Sequence, residues 1–165
     1  MNRLNRILGT MLGAEIDFIV KGIDSTTHSA VASRREAMLR KRQTFYLGKD
    51  VSGNPYIYPG RLVEARVIAV AEKVLRVEAF GIECAIFARD LSWQWVSDVR
   101  DLYSVGDRVL VRVQEISGED AEHLSIRADI RSTFSETSVD NLKKCQVQSK
   151  YAGKVTDLRG GVVYI

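Results

Sequence analysis

The chain has 165 residues, 45% of them hydrophobic and 27% charged, with a net charge of +3 from 24 Lys and Arg against 21 Asp and Glu. This is the composition of an ordinary globular domain with one core, and it excludes a disordered polyelectrolyte and a collagen-like or disulfide-dense scaffold. No apolar run reaches the length of a membrane span, no signal-peptide core with a cleavage site is present, and Cys84 and Cys145 make no disulfide framework. A cytoplasmic location without membrane association is expected.

In chain order, Leu4, Ile7, Leu8, Met11 and Leu12 recur at helical spacing, which predicts a short helix over 3–12. Two strands follow, 15–23 and 28–34, joined by the turn Asp24-Ser25-Thr26-Thr27. Residues 35–47 are expected to continue as a helix, and a basic cluster, Arg34, Arg35, Arg40, Lys41 and Arg42, runs from its N-terminal edge into it. Such a cluster attracts phosphate or acidic surfaces, and it is equally what a solvated linker helix carries. Gly48 to Gly60 holds both prolines and reads as a loop.

From residue 61, strand signals come close together. Segments 61–71, 73–80 and 82–88 are rich in Val, Ile and Leu, and Cys84 reads as a small core residue within the third. Val96, Val99 and Tyr103 stand at helical spacing and predict a helical segment over 93–103. Trp93 and Trp95 at its entry either stack bases or cap the barrel end, and burial is favoured because large aromatics bring most burial to a small barrel. Residues 107–117 alternate, with Val109, Val111 and Val113 inward; 122–130 alternate again, with Leu124 and Ile126 inward. Five short strands with one interruption predict a mainly β protein, a small closed barrel with short helices.

One stretch recurs. Leu12–Glu36 aligns without a gap on Val105–Asp129: Gly13 falls on Gly106, Val20 on Val113, Ile23 on Ile116 and Arg34 on Arg127, a constant offset of 93 residues. Further on, Tyr151–Leu158 aligns with Val63–Val70 and places Tyr164 on Arg76. The expected organisation is a closing half-repeat over 1–39, a basic helix and linker over 40–59, a complete barrel over 60–131, a linker over 132–147 and the opening strands of another repeat over 148–165. A tandem-repeat protein of which this chain is an excerpt is the expectation. Its partial repeats have unpaired edges through which chains could associate.

Gly60–Ile130 resembles the S-one-type RNA-binding domain, the five-stranded OB-fold module named after the largest small-subunit ribosomal protein of bacteria. The marks are Glu83–Trp93 (ECAIFARDLSW), where the family tends to show EGLVHISELSW, and Val105-Gly106-Asp107 at the opening of the fourth strand. Ser33-Arg34-Arg35-Glu36-Ala37 is similar to the ending of many members. The resemblance implies single-stranded RNA bound on the face of the second and third barrel strands, where two aromatics and a histidine stack bases while an Asp and an Arg assist. Here those positions hold Lys73, Arg76, Phe87, Ser117 and Ala121, so the complete copy departs from the pattern at all five. In the partial copies, Asp24 and His28 take the Asp and Arg positions, and Tyr164 takes the second aromatic position.

The residues at those positions still suit RNA. Lys73, Arg76 and Phe87 would supply one aromatic platform and two phosphate contacts, with Arg66, Arg89, Arg127 and, unless it lies on another barrel face, Arg112 widening the basic track and Arg34 and Arg35 extending it. The expected function is binding of single-stranded RNA with little sequence specificity. The rival is a protein-interaction or architectural OB module of a ribosome- or RNA-associated protein, which the absent aromatics favour. His28 and His123 lack ligand partners, and no nucleophile motif or phosphate loop is present. No enzyme, metal or other cofactor is expected.

Overall fold

The computed structural model describes residues 11–134, 143–153, 155 and 157–164. The helix expected over 3–12 lies outside them except for Met11 and Leu12, which sit in a turn.

Strands β1 (Ile19–Asp24) and β2 (Ser29–Ser33) form an antiparallel hairpin. Asp24 shapes its turn, accepting hydrogen bonds from the backbone N–H groups of Thr26 at 2.8 Å and Thr27 at 3.3 Å. Helix α1 (Arg34–Arg42) starts directly after β2. The Ser33 hydroxyl accepts from the Glu36 N–H at 3.2 Å and caps the first turn, while Arg40, Lys41 and Arg42 suit the negative end of the helix dipole. The helix widens into a π turn, Gln43–Leu47, and ends at Gly48.

The barrel strands are β3 (Leu62–Ala71), β4 (Val74–Ala79), β5 (Ile82–Phe87), β6 (Arg108–Ser117) and β7 (Ser125–Asp129). They pair antiparallel in the order β5-β4-β3-β6-β7, and contacts between β5 and β7 bring the sheet nearly to closure. Bulges between Val67 and Ala69 in β3, and between Val113 and Glu115 in β6, bend the two long strands so that the sheet can curl. This is the mainly β, five-stranded OB-like barrel that the alternation predicts.

Period-two patterning fills the interior. Val63, Ala65 and Val67 of β3, Leu75, Val77 and Ala79 of β4, and Ile82, Cys84 and Ile86 of β5 point inward, and Val111 and Val113 of β6 meet them. Burial pushes the Cys84 thiol up to about 12, so it is protonated and inert at neutral pH. The core reaches beyond residues 60–131. Tyr46, from the turn after α1, is buried among these residues and donates its hydroxyl to the Ala79 carbonyl at 2.9 Å, and Ile57 joins the same cluster. Gly81 lets α1 come this close: its φ is +90°, and a Cβ there would stand 2.4 Å from the Met38 carbonyl oxygen.

Two local expectations are corrected. The segment 93–103 is not a helix: the connection from β5 to β6 holds only two short 3₁₀ turns, Ala88–Asp90 and Val99–Asp101. Val96 and Val99 are anchored in the core at a spacing that an irregular chain meets as easily as a helix. The repeat is also not gapless in its pairing. The bulge falls at Lys21 in β1 and at Gln114 in β6, the 93-residue offset, but the turns differ. Asp24 pairs with Ser29 across residues 25–28, whereas Ser117 pairs with Ser125 across residues 118–124. The return strands therefore match three residues further on, and Arg34 does not correspond to Arg127. A short last hairpin, β8 (Asp157–Arg159) and β9 (Val162–Tyr164), pairs Asp157 with Tyr164 and Leu158 with Val163, as Ala69 pairs with Arg76 and Val70 with Leu75.

Candidate nucleic-acid interface

Outward positions of β4 and β5 form a short face with two unlike ends. In register, Val74 lies opposite Phe87, Arg76 opposite Ala85, and Glu78 opposite Glu83. The first pair sits beside the β3–β4 turn, which carries Lys73, and the last beside α1.

At the Lys73 end the structure collects aromatic and basic side chains. Phe87 and Trp95 are 53% and 50% exposed, and both line a cavity of about 370 Å³ with Lys73, Arg89, Gln94 and Val96. The Lys73 Nζ stands 6.0 Å from the centre of the Trp95 ring, and the Arg89 guanidinium carbon 5.9 Å from that of Phe87. Lys73 donates to the Ser97 carbonyl and faces the Glu72 carboxylate at 3.5 Å. Arg89 lies 3.5 Å from the Asp90 carboxylate. The Arg100 guanidinium and N–H hold the Asp98 carboxyl down at about 2, with Lys73 adding a smaller attraction, so Asp98 is charged at any physiological pH. Acids thus stand next to each cation, and the positive potential is modest.

Trp95 departs from the core position expected of it. The expected core position is corrected for both tryptophans: Trp95 is half-exposed, and Trp93 is partly buried at the surface, its indole N–H donating to the Phe134 carbonyl at 3.3 Å with Arg131 4.7 Å over its ring. Val96 and Leu91 fill the barrel end instead. A signal for this existed in the sequence: a strict alternation Trp95–Val96–Ser97 cannot bury both Trp95 and Val96 once the segment is extended.

At the other end the charges are spent on one another. The Arg34 Nη2 bridges Glu78 at 3.2 Å and Glu83 at 2.9 Å, and the Arg76 Nη2 takes the other Glu83 oxygen at 3.0 Å. Glu78 is only 4% exposed, the one buried charged side chain among the described residues, and Lys41 approaches it at 3.9 Å. The remaining candidates are dispersed. Arg66 is mostly buried, held by Asp17 at 3.0 Å and Glu15 at 3.6 Å on the chain leading into β1. It lies opposite Glu78 in the β3–β4 register, four β4 positions or about 13 Å from Val74. Arg127 pairs with Glu115 across β6 and β7 at 3.2 Å, and Arg35 with Glu122 at 2.9 Å. Of the eight residues selected from the sequence, the structure brings Lys73, Phe87 and Arg89 together, with Arg76 one step along the strand. Ser117 is exposed and Ala121 partly so, in and beside the long β6–β7 turn.

Five antiparallel strands curled nearly to closure, with exposed aromatic and basic side chains at one end of the β4–β5 face, define a small OB-like barrel domain. More particularly, residues 57–127 match the family model of the S1 RNA binding domain. Among solved structures, the chain is similar to the crystal structure of an a/eIF2alpha–aDim2p–rRNA complex from Pyrococcus horikoshii OT3, with 20% identity and a TM-score of 0.43 over 53% of this chain and 52% of that one. It is also similar to the solution structure of GSP13 from Bacillus subtilis, with 20% identity and a TM-score of 0.41 over 61% of this chain and 84% of that one. The chain spans about half the length of the first of these.

Proposed function

We propose that the protein binds single-stranded RNA on the β4–β5 face, centred on Phe87, Trp95, Lys73 and Arg89. The observation that carries this reading is the convergence of two half-exposed aromatic rings and two cations at one end of that face. Unpaired bases stack on such rings at roughly 1–3 kcal/mol each, and the cations meet the backbone phosphates. Because Glu72, Asp90 and Asp98 temper the local charge, stacking contributes more than the composition suggests, and sequence preference is low. The match of residues 57–127 to the S1 RNA binding domain supports the same reading.

We infer further that the β1–β2 and β8–β9 hairpins are parts of neighbouring barrels in an array. The shared bulge position and the shared pairing register support this. Weak sites on successive barrels then add by linkage, so modest affinity at one barrel is compatible with tight binding overall.

Titration with single-stranded RNA across salt concentrations tests the reading. Binding is expected to weaken with salt, with a log–log slope of about −0.7 per phosphate neutralised, and Lys73→Ala/Arg89→Ala is expected to make it shallower. Absence of binding at low salt, or an unchanged slope in the double variant, would overturn it. Duplex DNA serves as the specificity control.

A further inference from the structure

We infer that the cavity lined by Phe87 and Trp95 is a single-nucleotide pocket, taking one unpaired base against its apolar walls with the attached phosphate at the Lys73 and Arg89 rim. This rests on the RNA-binding reading and goes beyond it, because a flat stacking platform would serve that reading equally well. The cavity, at about 370 Å³, lies at the small end of the roughly 300–1,000 Å³ typical of small-molecule sites, which suits one nucleotide and not a run of them. Its walls are Phe87, Trp95 and Val96, and its polar groups are the Lys73 ammonium, the Arg89 guanidinium and the Gln94 amide. That is the division a nucleotide needs: π-faces for the base, cations for the phosphate and an amide that can both donate to and accept from a base edge.

The pocket is formed in advance. The connection that carries Trp95 is tied to the β3–β4 turn at three places: the Ala88 N–H donates to the Lys73 carbonyl at 3.0 Å, the Val99 N–H to the Glu72 carbonyl at 2.9 Å, and the Lys73 ammonium to the Ser97 carbonyl. Buried Val96 and Val99 hold the same segment in the barrel end. Trp95 therefore lines the cavity together with Phe87 without waiting for ligand, and little ordering entropy opposes binding. Each cation at the rim has a carboxylate within 3.5 Å, so a bare phosphate is weakly attracted and the base must contribute.

The experiment titrates the intact chain with adenosine 5′-monophosphate, uridine 5′-monophosphate and ribose 5-phosphate, following backbone amide shifts. The nucleotides are expected to give saturable shifts at Lys73, Phe87, Gln94 and Val96, and ribose 5-phosphate is expected to give none at the same concentrations. Trp95→Ala is expected to weaken nucleotide binding about tenfold or more, and Trp95→Phe, which keeps an aromatic wall and the fold, to retain most of it. Equal shifts from ribose 5-phosphate, or unchanged nucleotide affinity in Trp95→Ala, would overturn the pocket. A single-stranded RNA oligonucleotide run alongside separates the two readings. Oligonucleotide binding untouched by Trp95→Ala removes the pocket and leaves RNA binding standing, whereas no binding of either ligand at low salt removes both.

Discussion

The two ends of the β4–β5 face have similar formal charges and opposite fates. At the Glu78–Glu83 end, two arginines from β4 and α1 meet two glutamates, one of them buried, and little charge is left for a partner. At the Lys73–Phe87 end, the cations also have acidic neighbours, but they stand over exposed rings and beside a cavity. The difference teaches that a count of lysines and arginines on a strand face says little about ligand binding. What matters is whether the cation is already held in a geometry that a ligand would have to break. Arg34 is held so; Lys73 and Arg89 are held at the rim of an open cavity.

The largest expected effect is at Arg34. Arg34→Ala leaves Glu78 buried with only the more distant Lys41, and is expected to lower folding stability by about 3 kcal/mol, read from the urea midpoint. RNA affinity of the folded variant is expected to stay unchanged. A stable variant with lost RNA binding would assign Arg34 to the ligand face instead. The converse change is Phe87→Ala, which is expected to reduce RNA affinity by roughly 1–3 kcal/mol by fluorescence anisotropy, with little shift in the melting temperature because the ring is half-exposed. If stability falls and affinity does not, the ring serves packing.

The smallest effect concerns the β6–β7 turn beside α1, where Arg42 donates to the Ala121 carbonyl at 3.1 Å. His123 is hydrogen-bonded to the Asp120 carboxylate at 2.8 Å, which raises its pKa above the ordinary imidazole value. A raised folded-state pKa stabilises the fold fully below the unfolded value of about 6.5 and loses that contribution as pH rises through the folded value. An NMR titration of the His123 ring is expected to place its midpoint above 6.5, and Asp120→Asn to bring it back toward about 6.5. The β4–β5 face should be indifferent to this pH range, since neither of its ends contains a histidine.

Much of the fold was legible because the strands are rich in Val, Ile and Leu and the last two alternate. Val111, Val113 and Leu124 are inward in the structure as their spacing predicts. The connection between β5 and β6 was not legible, because apolar residues three apart fit a helix and an irregular chain alike, and only the barrel end decides which forms. The three-residue difference between the β1–β2 and β6–β7 turns was hidden for a similar reason. An ungapped alignment keeps Val31 on Leu124 and Arg34 on Arg127, but strand pairing follows the turn, and the longer turn at 118–124 moves the return strand.

By itself the sequence determined the barrel, its strand order of appearance and the resemblance that led to the S1 RNA binding domain, because period-two burial and local motif spacing are written along the chain. It also placed Lys73, Phe87 and Arg89 as candidates. Only the tertiary structure decided that Trp95 joins them while Arg34, Arg66 and Arg76 are engaged by carboxylates. Those outcomes depend on which residues meet in space, across tens of positions where Arg34 meets Glu78 and Arg66 meets Asp17, and across a hairpin where Arg76 meets Glu83. A side chain's charge is local information, but whether that charge is free to meet a ligand is set by its partners in space.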